Sequence, residues 1–278
     1  MIHVENLTYS YPRTFEPALK DLTLEIPEGQ FCAIAGANGA GKSTLCYTLT
    51  GFVPHFYHGK LAGRVQVAGK NVPATPLAEL AGEIGLVFPN PFNQITGARF
   101  TVREEVAFGL ENLGVPRHEM VERVAEALAL TGLAELADRS PLALSGGQQQ
   151  RLAIASVIVM RPRVLVLDEP TAQLDPVATR EVFAVLSELA AAGGTTVVLT
   201  EHKLEWMAVF AHRVIVLADG RIAADGLPQE VLASPDLEQI GVNPTRYTRA
   251  ARQAQAQGLV TAGRPLPVTL EQAIAFFR

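Results

Sequence analysis

The eight residues Gly36-Ala37-Asn38-Gly39-Ala40-Gly41-Lys42-Ser43 form a complete G-x-x-x-x-G-K-[ST] pattern, and they dictate the structure on either side of them. The apolar run Phe31-Cys32-Ala33-Ile34-Ala35 before them reads as a buried strand, and Thr44 to Thr50 after them continues as a helix. Gly36, Gly39 and Gly41 let the backbone turn tightly and aim its N–H groups inward, together with those of Ala37, Asn38, Ala40 and Thr44. Lys42 reaches the β- and γ-phosphates, and the Ser43 hydroxyl ligates Mg²⁺. The helix N-terminus adds about half a positive charge at the same place. Such a loop implies a nucleoside triphosphate.

Composition narrows the setting. A chain of 278 residues, 48% apolar and 18% charged, is long enough for one large domain or two modest ones. Its net charge of -5 and the absence of any Lys/Arg-rich run predict no nucleic-acid partner. No apolar run approaches the roughly 20 residues of a membrane helix, and Met1 to Glu5 lacks a signal-peptide pattern, so a cytoplasmic chain is expected. Cys32 and Cys46 read as small buried residues, and His55 and His58 lack a third ligand at metal-site spacing.

Along the chain, Ile2, Val4, Leu7 and Tyr9, and then Leu19, Leu22, Leu24 and Ile26, alternate as strands. Short strands are predicted at 64–67 and 84–88. From Val102 to Met160 the period turns helical, with Val121, Val124, Ala125, Leu128 and Ala129 on one face. Beyond lie a buried strand at 164–167, a helix at 177–191, and strands at 196–199 and 214–217. The alternation predicts an α/β fold with a largely parallel sheet. In the tail, Thr269 and Gln272 form a capping box, and Leu270, Ala273, Ile274 and Phe277 recur at helical spacing. That stripe must bury against the chain's own core or a second subunit, and the core is the expectation.

Two further motifs restrict the chemistry. Leu144-Ser145-Gly146-Gly147-Gln148 places a hydroxyl and free backbone N–H groups at the start of an apolar helix, a second phosphate-binding terminus. Val164-Leu165-Val166-Leu167 ends in adjacent carboxylates, of which Asp168 suits Mg²⁺ and Glu169 suits an attacking water.

In this order the phosphate loop, the LSGGQ signature and the Asp-Glu pair resemble those of ATP-binding cassette (ABC) ATPases, over nearly the whole chain. The resemblance implies a P-loop NTPase of RecA-like core with an antiparallel β subdomain (1–88 and 161–234), a helical subdomain carrying the signature (89–160) and a C-terminal helical extension (235–278) that serves as a dimer contact. It implies ATP and Mg²⁺ as ligands, with Lys42, Glu169 and His202 catalytic. It also implies a head-to-tail pair of ATPase subunits, homo- or heterodimeric, in which Ser145, Gly146, Gly147 and Gln148 of one subunit close over the ATP of the other. Asp175 matches the aspartate at that interface, His202 the histidine that touches the γ-phosphate, and Tyr11, with Tyr9 its rival, the aromatic on which adenine stacks.

Finer cues, among them Pro54-His55-Phe56-Tyr57-His58-Gly59, Glu201-His202-Lys203 and Leu266-Pro267-Val268-Thr269, are similar to the ATPases of energy-coupling factor (ECF) importers. This implies uptake of a vitamin or transition metal, with the ATPases peripheral on the cytoplasmic face of the membrane. Their partners there would be a membrane coupling subunit and a substrate-binding membrane subunit. A conventional ABC transporter ATPase is the nearer alternative, and a soluble non-transport ABC protein the more distant. One departure stands out. The family has glutamine after Val87-Phe88, where this chain has Pro89, which offers neither an amide side chain nor an N–H. Asn90 or Gln94 would have to substitute, with Gln94 the candidate for the metal contact.

Overall fold

The alternation near the N-terminus is realised with one interruption in each of the first two strands. In the computed structural model, which describes residues 1–192, 194–261 and 263–278, strand β1 (Ile2–Ser10) buries Ile2, Val4, Leu7 and Tyr9. The three-residue step from Val4 to Leu7 is a bulge: the pairing with β2 (Leu19–Ile26) passes from Val4–Leu24 to Leu7–Leu22, and Asn6 takes a left-handed φ of 49°. Gly63 crosses the same point on the other side, where a Cβ would lie 2.5 Å from the Glu5 and Asn6 carbonyl oxygens. Only glycine fits there.

Strand β3 (Phe31–Gly36) is buried throughout, as a central parallel strand must be. Next come β4 (Lys60–Val67), β5 (Lys70–Asn71), β6 (Ile84–Val87), β7 (Val164–Asp168), β8 (Thr196–Thr200), β9 (Arg213–Ala218) and β10 (Arg221–Gly226). They form two sheets. An antiparallel one has the order β2-β1-β4-β5, and the other has the order β10-β9-β3-β8-β7-β6. In the larger sheet β9, β3, β8, β7 and β6 run parallel, and β10 returns antiparallel at the edge. Ile34 of β3 and Asp168 of β7 both pair with Thr200 of β8, so β7 and β8 end level and β3 runs two residues further into the phosphate loop. The carboxyl ends of parallel strands are where such sheets hold ligands.

β4 begins four residues before the predicted 64–67 strand because its outer half, Lys60 to Gly63, is largely solvent-facing and carries no apolar alternation. The helical stretch resolves into helices Val102–Asn112, Arg117–Leu130 and Gly146–Ile158, with 3₁₀ turns at Ala134–Leu136 and Pro141–Ala143. The face expected on the second helix is corrected. Val124, Ala127 and Leu128 are buried, whereas Val121, Ala125 and Ala129 are exposed, because Met120 and Val124, not Val121, start the inward row. The helices Leu204–Phe210, Pro228–Leu232 and Arg246–Ala256 were not anticipated; the last buries only Thr248, Ala251 and Ala254, which leave no apolar stripe to read.

The tail packs on the larger sheet through Leu237, Val242 and Val268, which join Ala33, Ala35, Val214 and Val216 in one cluster. Its last helix, Leu270–Phe277, has the expected capping box, but the expected burial of its stripe is corrected. Ala273 and Phe276 face the core, while Leu270, Ile274 and Phe277 are 54%, 46% and 50% exposed. The apolar surface exceeds what the helix can bury at home.

Under the helix Pro176–Ala191 the ring of Phe183 stacks 6.2 Å from Phe31 and lies 5.8 Å from Phe210 and 6.5 Å from Trp206. Phe183→Ala is expected to cost about 3–5 kcal/mol. Urea unfolding followed by the fluorescence of Trp206, the chain's one tryptophan, measures it.

Candidate functional site

The loop after β3 is held by contacts that exclude side chains. A Cβ on Gly36, at φ 154°, would lie 2.5 Å from the Leu217 carbonyl oxygen; on Gly41, at φ 103°, it would lie 2.8 Å from that of Ala18. The loop is thereby wedged between β9 and the start of β2. Lys42 opens the helix Lys42–Leu49 and is buried, its Nζ donating to the carbonyls of Gly36 (3.0 Å) and Ala37 (3.2 Å). Burial lowers its pKa, and the charges of Glu169 and Asp168 oppose that shift. Its ammonium lies 3.9 Å from Glu169 Oε1.

Two carboxylates leave the end of β7 in different directions, as the sequence suggests. Asp168 ends the strand and is 1% exposed; Thr200 Oγ1 donates to its Oδ1 at 2.7 Å. Glu169 turns away at a left-handed φ of 47°, its N–H donating to the carbonyl (3.1 Å) and hydroxyl (3.0 Å) of Thr200. That turn brings Glu169 Oε1 within 2.9 Å of His202 Nε2. Glu169, His202 and Lys42 therefore surround one point at the mouth of the loop.

Asp168 also meets the requirement for Mg²⁺. Its Oδ2 is buried and has no hydrogen-bond partner among the described residues. Burial raises its pKa, while the neighbouring hydroxyls of Thr200 and Ser43 lower it in part. A buried carboxylate oxygen without a donor, beside the Ser43 hydroxyl, is the oxygen donor set that a hard divalent cation takes.

Tyr11 joins this cluster and Tyr9 does not. Tyr11 is partly open, with its hydroxyl 3.2 Å from Thr44 Oγ1 and its ring edge-on to Tyr9 and Tyr57. Tyr9 is fully buried and donates to the His58 carbonyl.

Ser145, Gly146, Gly147 and Gln148 form a separate group. Ser145 and Gln148 cap the helix Gly146–Ile158 reciprocally: Gln148 N donates to Ser145 Oγ (3.4 Å), and Ser145 N donates to Gln148 Oε1 (2.9 Å). Ser145 and Gly146 are exposed. The turn rests on the segment leading to Asp175, since Cβ atoms on Gly146 and Gly147 would touch Gln173 and Leu174. Asp175 caps the helix Pro176–Ala191, its Oδ1 accepting from Val177 N (2.8 Å) and Ala178 N (2.9 Å). None of the hydrogen bonds among the described residues joins this group to the phosphate loop of the same chain.

Gln94, expected at the metal, has its carboxamide engaged by backbone. Its Nε2 donates to the Leu86 carbonyl (3.3 Å), and its Oε1 accepts from Phe88 N (3.3 Å), so the carboxamide closes the end of β6. Asn90 Oδ1 accepts from Phe92 N and caps a 3₁₀ turn. Both amides after Pro89 are thus engaged by backbone. The sequence reading missed Thr200, whose hydroxyl and carbonyl set both carboxylates; a threonine closing an apolar strand was the only signal.

The chain matches the ABC transporter family model over residues 19–172. It is 42% identical, over 92% of its own length and 90% of the relative's, to the energy-coupling factor transporter ATP-binding protein EcfA1 of Lacticaseibacillus paracasei. Among solved structures it is similar to CbiO1 of Clostridium perfringens, part of the ABC transporter complex CbiONQ, at 34% identity and TM-score 0.75, over 92% of this chain and 94% of that one. It is also similar to the dimeric ATP-binding cassette MJ0796 with ADP and Pi, at 29% identity and TM-score 0.72, over 82% of this chain and 99% of that one. The chain belongs to the ABC transporter family. It is an ATP-binding cassette of that family, an enzyme that hydrolyses ATP with Mg²⁺.

Because the folded protein holds the Asp168 proton more tightly than the unfolded chain does, ionising that carboxyl works against folding. The penalty grows as pH rises from the ordinary Asp range and is complete only above the raised value. Asp168→Asn is therefore expected to raise the Tm of the nucleotide-free protein at pH 7 while abolishing Mg²⁺-dependent ATP hydrolysis. Differential scanning calorimetry with and without EDTA, beside a phosphate-release assay, checks both signs.

Proposed function

We propose that this chain is the ATPase subunit of an ECF-type importer, peripheral on the cytoplasmic face of the membrane, powering uptake of a vitamin or transition metal. The observation that carries the proposal is the division of the site residues into two groups on one chain. One group, Tyr11 with Gly36 to Thr44, Asp168, Glu169 and His202, has the donors and the base for a triphosphate. The other, Ser145 to Gln148 with Asp175, presents an exposed hydroxyl and helix terminus outward. Two copies, or this chain and a paralogue, facing each other head to tail unite one group from each.

In that arrangement Tyr11 stacks on adenine, and the loop amides with Lys42 hold the β- and γ-phosphates. Ser43 and Asp168 would hold Mg²⁺, which when bound offsets the negative charge of the phosphates. Glu169 accepts the proton of the attacking water as its oxygen approaches the γ-phosphorus, and His202, already hydrogen-bonded to Glu169, fixes the direction of that carboxylate. Ser145 and Gly147 of the facing subunit donate to the γ-phosphate, so hydrolysis follows closure. The exposed stripe of Leu270, Ile274 and Phe277 is suited to the dimer contact inferred for the extension.

No helix among the described residues is long and apolar enough to cross a membrane, so transport requires membrane subunits. A cavity of about 380 Å³ between the larger sheet and the helical subdomain, lined by Phe52, Leu77, Phe88, Gln94, Phe108 and Met160, is suited to receive the coupling subunit. Phe92 and Phe100, which flank Gln94 in sequence, are 61% and 87% exposed.

Glu169→Gln is expected to lower kcat by about 10²–10⁴-fold with ATP binding retained, measured by phosphate release and equilibrium dialysis. Affinity purification from solubilised native membranes tests the importer. Recovery of a polytopic coupling subunit with a small substrate-binding membrane protein supports it, with Phe92→Asp/Phe100→Asp expected to lose both while keeping ATPase activity. Recovery of two conventional permease subunits would reassign the chain to another transporter class.

A further inference from the structure

We propose that Glu201 and Lys203, on either side of His202, are positioning residues that lock the histidine's loop to the loop bearing Asp175, so that one nucleotide site reports to the other. This rests on the two-site reading of the proposed function.

Glu201 is a carboxylate only 2% exposed, a placement that destabilises unless its oxygens are satisfied. Four donors satisfy them. Oε1 accepts from the backbone N–H (3.1 Å) and the hydroxyl of Thr171, itself fully buried two residues beyond Glu169. Oε2 accepts from the N–H groups of His202 (2.8 Å) and Lys203 (3.3 Å). Its own N–H donates to the carbonyl of Ile34, two residues before the phosphate loop proper. The Glu201 side chain thus ties together the segments that follow β7 and β8, and its backbone N–H holds them to β3.

Lys203 makes the matching connection. Its ammonium donates to the carbonyls of Thr171 (2.8 Å) and Leu174 (3.2 Å) and to the buried hydroxyl of Thr179 (2.8 Å). Those three acceptors bracket Asp175, and Leu174 also underlies Gly147 of the signature turn. Both loops start from the ends of adjacent paired strands, β7 and β8, and Glu169 and His202 already meet at 2.9 Å. The contacts Glu169–His202, Glu201–Thr171 and Lys203–Leu174 form three successive rungs between them. A displacement of Asp175 by the facing subunit therefore moves Thr171 and Leu174, and through these rungs His202 and Glu169, as one body. Neither Glu201 nor Lys203 has to touch nucleotide to act.

The test uses the assembled protein with Mg²⁺ and ATP, recording kcat, KM, the Hill coefficient and Tm for Glu201→Gln, Lys203→Met and Lys203→Arg. Loss of one charge-assisted bond at the transition state is expected to lower kcat about tenfold in the first two. KM should stay within about twofold, and the Hill coefficient should fall from above 1 to about 1. Lys203→Arg, which keeps the charge and the donors, should recover most of kcat. A kcat loss matched by an equal rise in KM, an unchanged Hill coefficient, or a Lys203→Arg variant as impaired as Lys203→Met would overturn the proposal. If Glu201→Gln does not fold, Lys203→Met, at a partly exposed position, carries the test. A wild-type protein without Mg²⁺-dependent hydrolysis would instead count against the site reading itself.

Discussion

The parallel ladder of β3, β8 and β7 is the constraint on which the site depends. Ile34 and Asp168 both pair with Thr200, so the three strands are held in register there, and a single threonine, through its hydroxyl and carbonyl, orients the carboxylate beside Ser43 and the one that meets His202. Shifting any of these strands by one residue would turn its side chains to the opposite face. Because these strands are buried on both faces, burial alone does not resist that slip, and the register rests on the polar groups at their ends, Thr200 with Asp168 and Glu169.

Around this ladder the molecule combines rigid and adaptable parts. The phosphate loop is boxed by backbone on two sides, at Leu217 and Ala18, so its shape is determined before any ligand arrives. The signature turn opens the helix Gly146–Ile158 and meets the core through Gln173 and Leu174 and through Gln150, whose amide donates to the Phe88 carbonyl at 3.4 Å. Phe88 also precedes Pro89, where the family's glutamine is replaced. The link between sheet and helices therefore runs here through main-chain groups held by Gln94 and Gln150, and not through a side chain at position 89.

Much of this was legible in the sequence because the chemistry is local. A phosphate loop needs its glycines in fixed order, a capping box needs Thr269 and Gln272 three apart, and a central parallel strand needs an unbroken apolar run. What escaped depends on distant partners. The Arg246–Ala256 helix is held by small residues and long-range hydrogen bonds such as Thr248 to the Pro267 carbonyl, which leave no periodic trace. Burial of the last helix was misjudged because a stripe's amphipathicity says that it seeks cover, not where the cover lies. Gln94 looked like a metal contact from its neighbours in sequence; its engagement by Leu86 and Phe88 becomes visible only once the chain folds back after Pro91.

Asp175 performs its local task with a single oxygen, which receives two N–H groups from the first turn of its own helix. Its carboxylate is consequently immobile before it meets anything else, and contact with another subunit costs little side-chain entropy. The same economy ties two properties together. In the proposed dimer, a substitution that retunes recognition at this position would also fray the helix start, which binds partner choice to local stability at Asp175. Divergence of pairing among paralogues has to be written into the neighbouring exposed positions instead.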